Sequence, residues 1–262
     1  MFPNRTPIIS QPPTTVKSNY SLEFGNDGVV EYTDVSDQDI FSFTDGSNDS
    51  GFSISAWVKI ANATHNVPVM SKYDDNDPHI AEWDFFLVGG EISMQILDGS
   101  DISTYCMRDA DSAVSINEWH HFVGVYDGTG ATNGDNAITL YVDGSVTAST
   151  GRDEADGYGS MVNRTSSLRI GVVRINGTSN HYAVGKIDEV ALYSKALSGS
   201  EVSKLTGTGS KLGDATEISN LVGYWRMEEG SGTTLADSSD NSNAGTMSNM
   251  ESGDWDTDAA TN

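Results

Sequence analysis

The sequence is poor in cysteine and in positive charge. Cys106 is the only cysteine among 262 residues, which excludes a disulfide framework and a cysteine-based zinc site. Lys and Arg number 14 against 38 Asp and Glu, for a formal charge of −24. So acidic a chain offers no basic surface for nucleic acid and is repelled by anionic membranes. It suits salty surroundings, where screening is strong. No run of about 18 apolar residues occurs, so no membrane-spanning helix is expected. Met1 to Tyr20 lacks a continuous apolar stretch, so no Sec-type signal peptide is read there. Gly-x-Ser-x-Gly and the Gly-x-x-x-x-Gly-Lys-Ser/Thr phosphate loop are both absent. His65, His79, His120, His121 and His181 have no zinc-ligand spacing.

What is present points to one large β domain, for which this length is ordinary. Four of the six prolines fall in residues 1–18, with Arg5 and Lys17 as the only charges, so this segment is +2 and the remainder −26. It reads as an extended N-terminal arm, with residues 19–262 as the domain. From Tyr20 on, short β runs alternate with Asp-Gly and Asn-Gly turns, for example at Asp45, Asp98, Asp127, Asp143 and Asn133. In Phe52–Ile60, Phe52, Ile54, Ala56, Val58 and Ile60 share one face, and Ser53, Ser55, Trp57 and Lys59 the other. Period two predicts a half-buried strand. Many such strands mean a β-sandwich or barrel. One short helix is predicted after Ser198, where Ser198 and Glu201 form a capping box, Leu197 and Val202 the hydrophobic staple, and Gly207 the end.

Five blocks then occur in order: Ser21–Gly25 (SLEFG), Phe52–Lys59 (FSISAWVK), Trp119–Gly128 (WHHFVGVYDG), Leu140–Gly144 (LYVDG), and Lys186–Tyr193 (KIDEVALY) with Lys195–Ser198. Together they resemble the LamG-like group of the concanavalin A-like lectin/glucanase superfamily. The resemblance implies an all-β jelly-roll of two antiparallel sheets. A further block, Leu221–Gly232 (LVGYWRMEEGSG), is similar to the one that normally begins such a domain, yet here it lies near the end. Either the domain is circularly permuted and a strand at about 220–228 completes the sandwich, or a second module starts there. An isolated strand would leave Leu221 and Trp225 exposed and an edge unpaired, which favours permutation.

The arrangement also resembles LamG-like proteins of marine tailed phages. That resemblance implies a non-catalytic virion component, in capsid decoration, a head fibre or the tail. Such a protein would sit on the outer surface and be attached to other virion proteins through the arm. A homo-oligomer fits this setting, although no coiled-coil heptad enforces one. The alternative is a carbohydrate-binding or adhesion module for a cell-surface polysaccharide.

Catalysis is not expected. The superfamily's glucanases carry a Glu-x-Asp-x-x-Glu strand, and the nearest segment, Glu82-Trp83-Asp84-Phe85-Phe86-Leu87, has Leu where the second Glu is required. His120 and His121 read as structural. A sugar site needs aromatic faces and polar side chains. Candidates are Tyr73, Asp75, Asn76, His79 and Trp83 in one loop, and Tyr158, Arg174, His181 and Tyr182 in two others. The resemblance also implies a structural calcium between the first turn, Gly25, Asn26 and Asp27, and Asp188 on the last family strand.

Overall fold

The computed structural model describes residues 15–25, 28–74, 80–99, 103–152, 157–175, 178–208 and 211–261. Two antiparallel sheets pack face to face. The first runs in the order Ser145–Val146, Ile138–Val142, His120–Tyr126, Phe52–Ile60, Gly185–Tyr193, Ser21–Phe24 and Trp255–Asp256. The second runs Ser149–Gly151, Tyr105–Ala110, Glu91–Leu97, Trp83–Val88, Val67–Lys72, Leu168–Ile170, Tyr32–Val35, Gly245–Ser248 and Thr234–Leu235. Their inner faces form one core, in which Phe52, Ile54, Phe85, Met94, Phe122 and Leu192 are fully buried. Gly124 faces the opposite sheet at close range. A Cβ there would lie 2.8 Å from both Met94 Sδ and Phe85 Cε2 of the opposite sheet.

The predicted inner face of Phe52–Ile60 is buried as expected. The other face differs: Ser53, Ser55 and Trp57 are buried too. Chain distant in sequence covers this outer side of the first sheet. The capping-box helix, Gly199–Thr206, packs Leu197, Val202 and Leu205 onto Val123, Val125, Tyr141 and Tyr193. Leu212 and Ala260 cover Trp57. Glu201 accepts from the Ser198 amide at 3.0 Å, and the helix ends at Gly207 with φ +82°. A second short helix, Gly130–Asn133, was not foreseen. No helix among the described residues is long and apolar enough to cross a membrane.

Polar side chains trapped under this cover are hydrogen-bonded, as burial requires. His121 Nε2 lies 2.8 Å from Ser55 Oγ and its Nδ1 2.8 Å from Thr206 Oγ1. Burial lowers its pKa to about 4. His120, the preceding residue, is partly exposed; its Nδ1 donates to Asp143 at 2.8 Å, which raises its pKa.

The C-terminal block is part of the first sheet. Leu221–Trp225 pairs with Val190–Tyr193, and Ser21–Phe24 pairs with Gly185–Ile187 on the same edge and in the same direction. The two segments therefore lie end to end as one row. Gly245–Ser248 adds to Tyr32–Val35, and Trp255–Asp256 to Ser21–Leu22. The N-terminal boundary also shifts. Thr15–Val16 pairs with Leu212–Gly213, and Ser18 is buried, so residues 15–18 belong to the fold rather than to the arm.

Candidate functional site

The outer face of the second sheet carries a cavity of about 180 Å³ lined by Asn66, Pro68, Tyr73, Asp84, Phe86, Gln95, Val173 and His181. Strand alternation sets its floor. In Trp83–Val88, the side chains of Trp83, Phe85 and Leu87 turn into the core, which leaves Asp84 and Phe86 on the outer side. The register places Ser71 and Gln95 on either side of Asp84, and Pro68 beside Phe86. The hairpin Val172–Ile175 and Thr178–Tyr182 supplies Val173 and His181 as a wall. Arg169 holds the Tyr73 carbonyl at 3.3 Å and pairs with Asp34 at 3.1 Å. Arg174 reaches Asp74 at 3.8 Å, next to the bridge between Asp74 and Arg174. Beyond His181 a second depression of about 320 Å³ opens, lined by Thr64, His65, Asn66, His181 and Tyr182.

Asp84 dominates the floor. It is 7% exposed, and its Oδ1 has no hydrogen-bond partner among the described residues. Burial pushes its pKa up to about 8. Among the described residues it is the only carboxyl lining the cavity. Glu82, two residues earlier, does not line the cavity and is engaged elsewhere. It pairs with the buried Lys72 at 3.1 Å and accepts from the Arg164 amide at 2.8 Å. A glycosidase needs two carboxyls flanking one bond, about 5–5.5 Å apart for retention or about 6.5–9.5 Å for inversion. Among the described residues this cavity offers one.

Of the sugar-site candidates, the structure brings Tyr73 and His181 together in the cavity, with Tyr182 in the neighbouring depression. Arg174 serves to hold Asp74. Trp83 and Tyr158 are corrections. Trp83 is fully buried in the core, its Nε1 donating to the Phe41 carbonyl at 3.1 Å. Tyr158 is buried and donates to Asp49 at 2.6 Å. Neither presents a ring to a ligand. Asp75, Asn76 and His79 lie outside the described residues. Sequence reasoning missed Asp84, Phe86 and Gln95 as lining residues, although the alternation through Asp84 and Phe86 was readable.

Gly25 and Asp188 do not form one set of oxygen ligands. They lie about four positions apart along Gly185–Tyr193, roughly 13 Å. Asp188 Oδ2 accepts from the Ala260 amide at 2.9 Å and lies 2.8 Å from Ser18 Oγ. Burial, and then the neighbouring Glu189, raise its pKa. Asn26 and Asp27 lie outside the described residues, among which no group of three or more His, Cys, Asp or Glu is arranged to hold a metal.

Comparison with known proteins agrees with this architecture. No curated protein sequence matches the chain. Among solved structures, a candidate carbohydrate-binding protein from Bacteroides ovatus is similar at a TM-score of 0.60 and 15% identity, over 94% of this chain and 62% of that one. The chain thus spans less than two thirds of that relative, and the likeness is one of fold. A heptameric SAP-like pentraxin from Limulus polyphemus has a TM-score of 0.49 at 12% identity, over 72% of this chain and 81% of that one. The CBM40 of a Ruminococcus gnavus IT-sialidase, bound to α2,3-sialyllactose, has 0.47 at 12% identity, over 75% and 97%. Residues 24–203 match the family described as the concanavalin A-like lectin/glucanases superfamily, and the chain belongs to it.

Proposed function

We propose that the chain is a non-catalytic carbohydrate-binding module that takes its ligand in the cavity on the outer face of the second sheet. The observation that carries this reading is the floor of that cavity. Buried Asp84, whose Oδ1 has no hydrogen-bond partner among the described residues, stands beside the half-buried Phe86, Tyr73 and Gln95, with His181 on the rim. Sugar sites combine such an aromatic or apolar surface, for the ring's C–H face, with a few fixed polar groups for the hydroxyls. The single carboxyl among the described lining residues supports binding over hydrolysis. Similarity to the Bacteroides ovatus protein supports the reading through its fold.

The test is a broad glycan array followed by calorimetry. A specific saccharide should bind wild type and lose affinity in Phe86→Ala and Gln95→Ala, while laminarin-type glucans release no new reducing ends. Binding that ignores both substitutions would place the site elsewhere, and new reducing ends would make the protein an enzyme. The expected place on a virus particle concerns where such a module is displayed, and is tested by quantitative mass spectrometry of purified particles. Attachment through the arm would then fall to residues 1–14.

A further inference from the structure

The carbohydrate reading leaves one feature of the cavity unexplained: among the described residues, its carboxyl pairs with no cation. Among the described residues, the nearby lysine and arginines are engaged elsewhere. Lys72 Nζ binds Asp37 at 2.6 Å and Glu82 at 3.1 Å. Arg169 pairs with Asp34 at 3.1 Å and Asp74 at 3.5 Å. Arg174 is directed to Asp74 at 3.8 Å. The titratable groups that share the cavity with Asp84 are Tyr73 and His181. A carboxyl placed in an apolar pocket is costly unless something pairs with it. Tyr73 and Phe86 supply aromatic faces beside it, and such faces attract a cation within about 6 Å. The field of a chain at −24 draws cations toward its clefts.

Resting on the carbohydrate-binding reading, we infer that the cavity selects an amine-bearing sugar, a hexosamine whose free ammonium is set against Asp84 between Tyr73 and Phe86. Gln95, Asn66 and His181 are then the groups available to its hydroxyls. About 180 Å³ is below the roughly 300–1,000 Å³ of drug-sized sites, so the cavity suits one sugar unit. The depression beyond His181 receives the next unit of the chain. Burial keeps Asp84 protonated in the empty cavity at neutral pH. An ammonium beside it favours the carboxylate, so binding releases a proton.

The test is calorimetry on the full chain with three probes: a glucosamine oligomer, its N-acetylated counterpart and the matching glucose oligomer. Wild type should prefer the amine by about tenfold or more. Titrations in two buffers of different ionisation enthalpy should report net proton release. Asp84→Asn, close to isosteric, should remove the preference and the proton release, so that the amine oligomer binds no more tightly than the neutral ones. Phe86→Leu, on the outer face, should weaken amine binding several-fold. Wild-type binding that does not distinguish the three probes would overturn the proposal and leave the carbohydrate reading standing. An amine preference that survives in Asp84→Asn would also overturn it, since general attraction to the acidic surface would then be the cause. Failure of every saccharide on the array would take down the carbohydrate reading itself, and this proposal with it.

Discussion

Glu228 accepts a hydrogen bond from the Asn19 amide at 2.6 Å, although 209 residues separate them. The same carboxylate accepts from Ser18 Oγ at 2.8 Å, Asn19 Nδ2 at 2.8 Å and the Tyr20 amide at 3.2 Å. It closes the gap in the row where Leu221–Trp225 ends and Ser21–Phe24 begins. Burial pushes the Glu228 pKa up, but these donors outweigh it and hold the carboxyl below its usual value. Ser18 has one proton to give and lies 2.8 Å from both Glu228 and Asp188. The Ser18 hydroxyl therefore donates to one of the two carboxyls at a time, and burial raises the pKa of Asp188 above its usual value.

The first prediction follows from this tie. Removal of residues 1–14 should leave the thermal midpoint nearly unchanged. Removal of residues 1–20 should lower it sharply, because the deletion takes Ser18 and the donors from Asn19 and Tyr20. Glu228→Ala should cost about 2–3 kcal/mol in urea unfolding, as expected for several hydrogen bonds to one charged acceptor. A 1–20 deletion as stable as the 1–14 deletion would show that the junction contributes nothing to stability.

Asp84 gives a prediction of opposite sign. Its pKa rises from 3.8 unfolded to about 8 folded, so the folded state binds the extra proton between those values. Stability from this group is complete below about pH 4 and is lost as pH rises through about 8. Asp84→Asn removes the penalty. At pH 7 the variant should be more stable by about 2–4 kcal/mol, and the gain should vanish near pH 4. Urea unfolding at the two pH values measures this, and a variant less stable than wild type at pH 7 would contradict it.

The histidine pair should titrate in opposite directions. His121, buried against Ser55 and Thr206, should stay neutral down to about pH 4, whereas His120 should protonate above the usual histidine range because of Asp143. The depressed pKa means that the unfolded chain takes up a proton that the folded one refuses. Stability therefore falls by up to about 3 kcal/mol as pH drops from about 6.5 to 4. Nitrogen-detected NMR titration resolves the two rings, and a His121 midpoint near 6.5 would refute the buried network.

Much of the fold was legible in the local pattern, and the site was less so. The alternation in Phe52–Ile60 identified its inner face correctly. It could not show that Ser53, Ser55 and Trp57 are buried too, because their cover comes from the helix Gly199–Thr206 and from Leu212 and Ala260. Reading Trp83 as a loop residue cost more. One position separates it from Asp84, and in a strand one position exchanges core for surface. With Trp83 in the core, Asp84 and Phe86 necessarily face out. The wall that turns this open face into a cavity, Val173 and His181, comes from a hairpin distant in sequence, and no local period encodes that contact. The row formed by Leu221–Trp225 and Ser21–Phe24 was suggested by block order, but the role of Glu228 depends on coordinates alone.

The difference between Trp83 and Phe86 is itself testable. Both are aromatic and belong to one strand, yet they point to opposite sides of the sheet. Trp83 packs against Phe52 at a centroid distance of 5.4 Å and Phe43 at 6.2 Å, with its indole N–H satisfied by Phe41. Trp83→Ala should leave a core cavity and an unpaired carbonyl, at a cost of about 3–5 kcal/mol. Its loss of ligand binding should match the fraction unfolded and recover where the variant is held folded at low temperature. Phe86→Ala should lower the unfolding midpoint less than Trp83→Ala, since Phe86 is only partly buried, yet weaken saccharide binding at every temperature. Unfolding curves and calorimetry on the two variants separate the cases. If Trp83→Ala remains fully folded and loses the ligand, the tryptophan acts in the site and the orientation of this strand must be reversed.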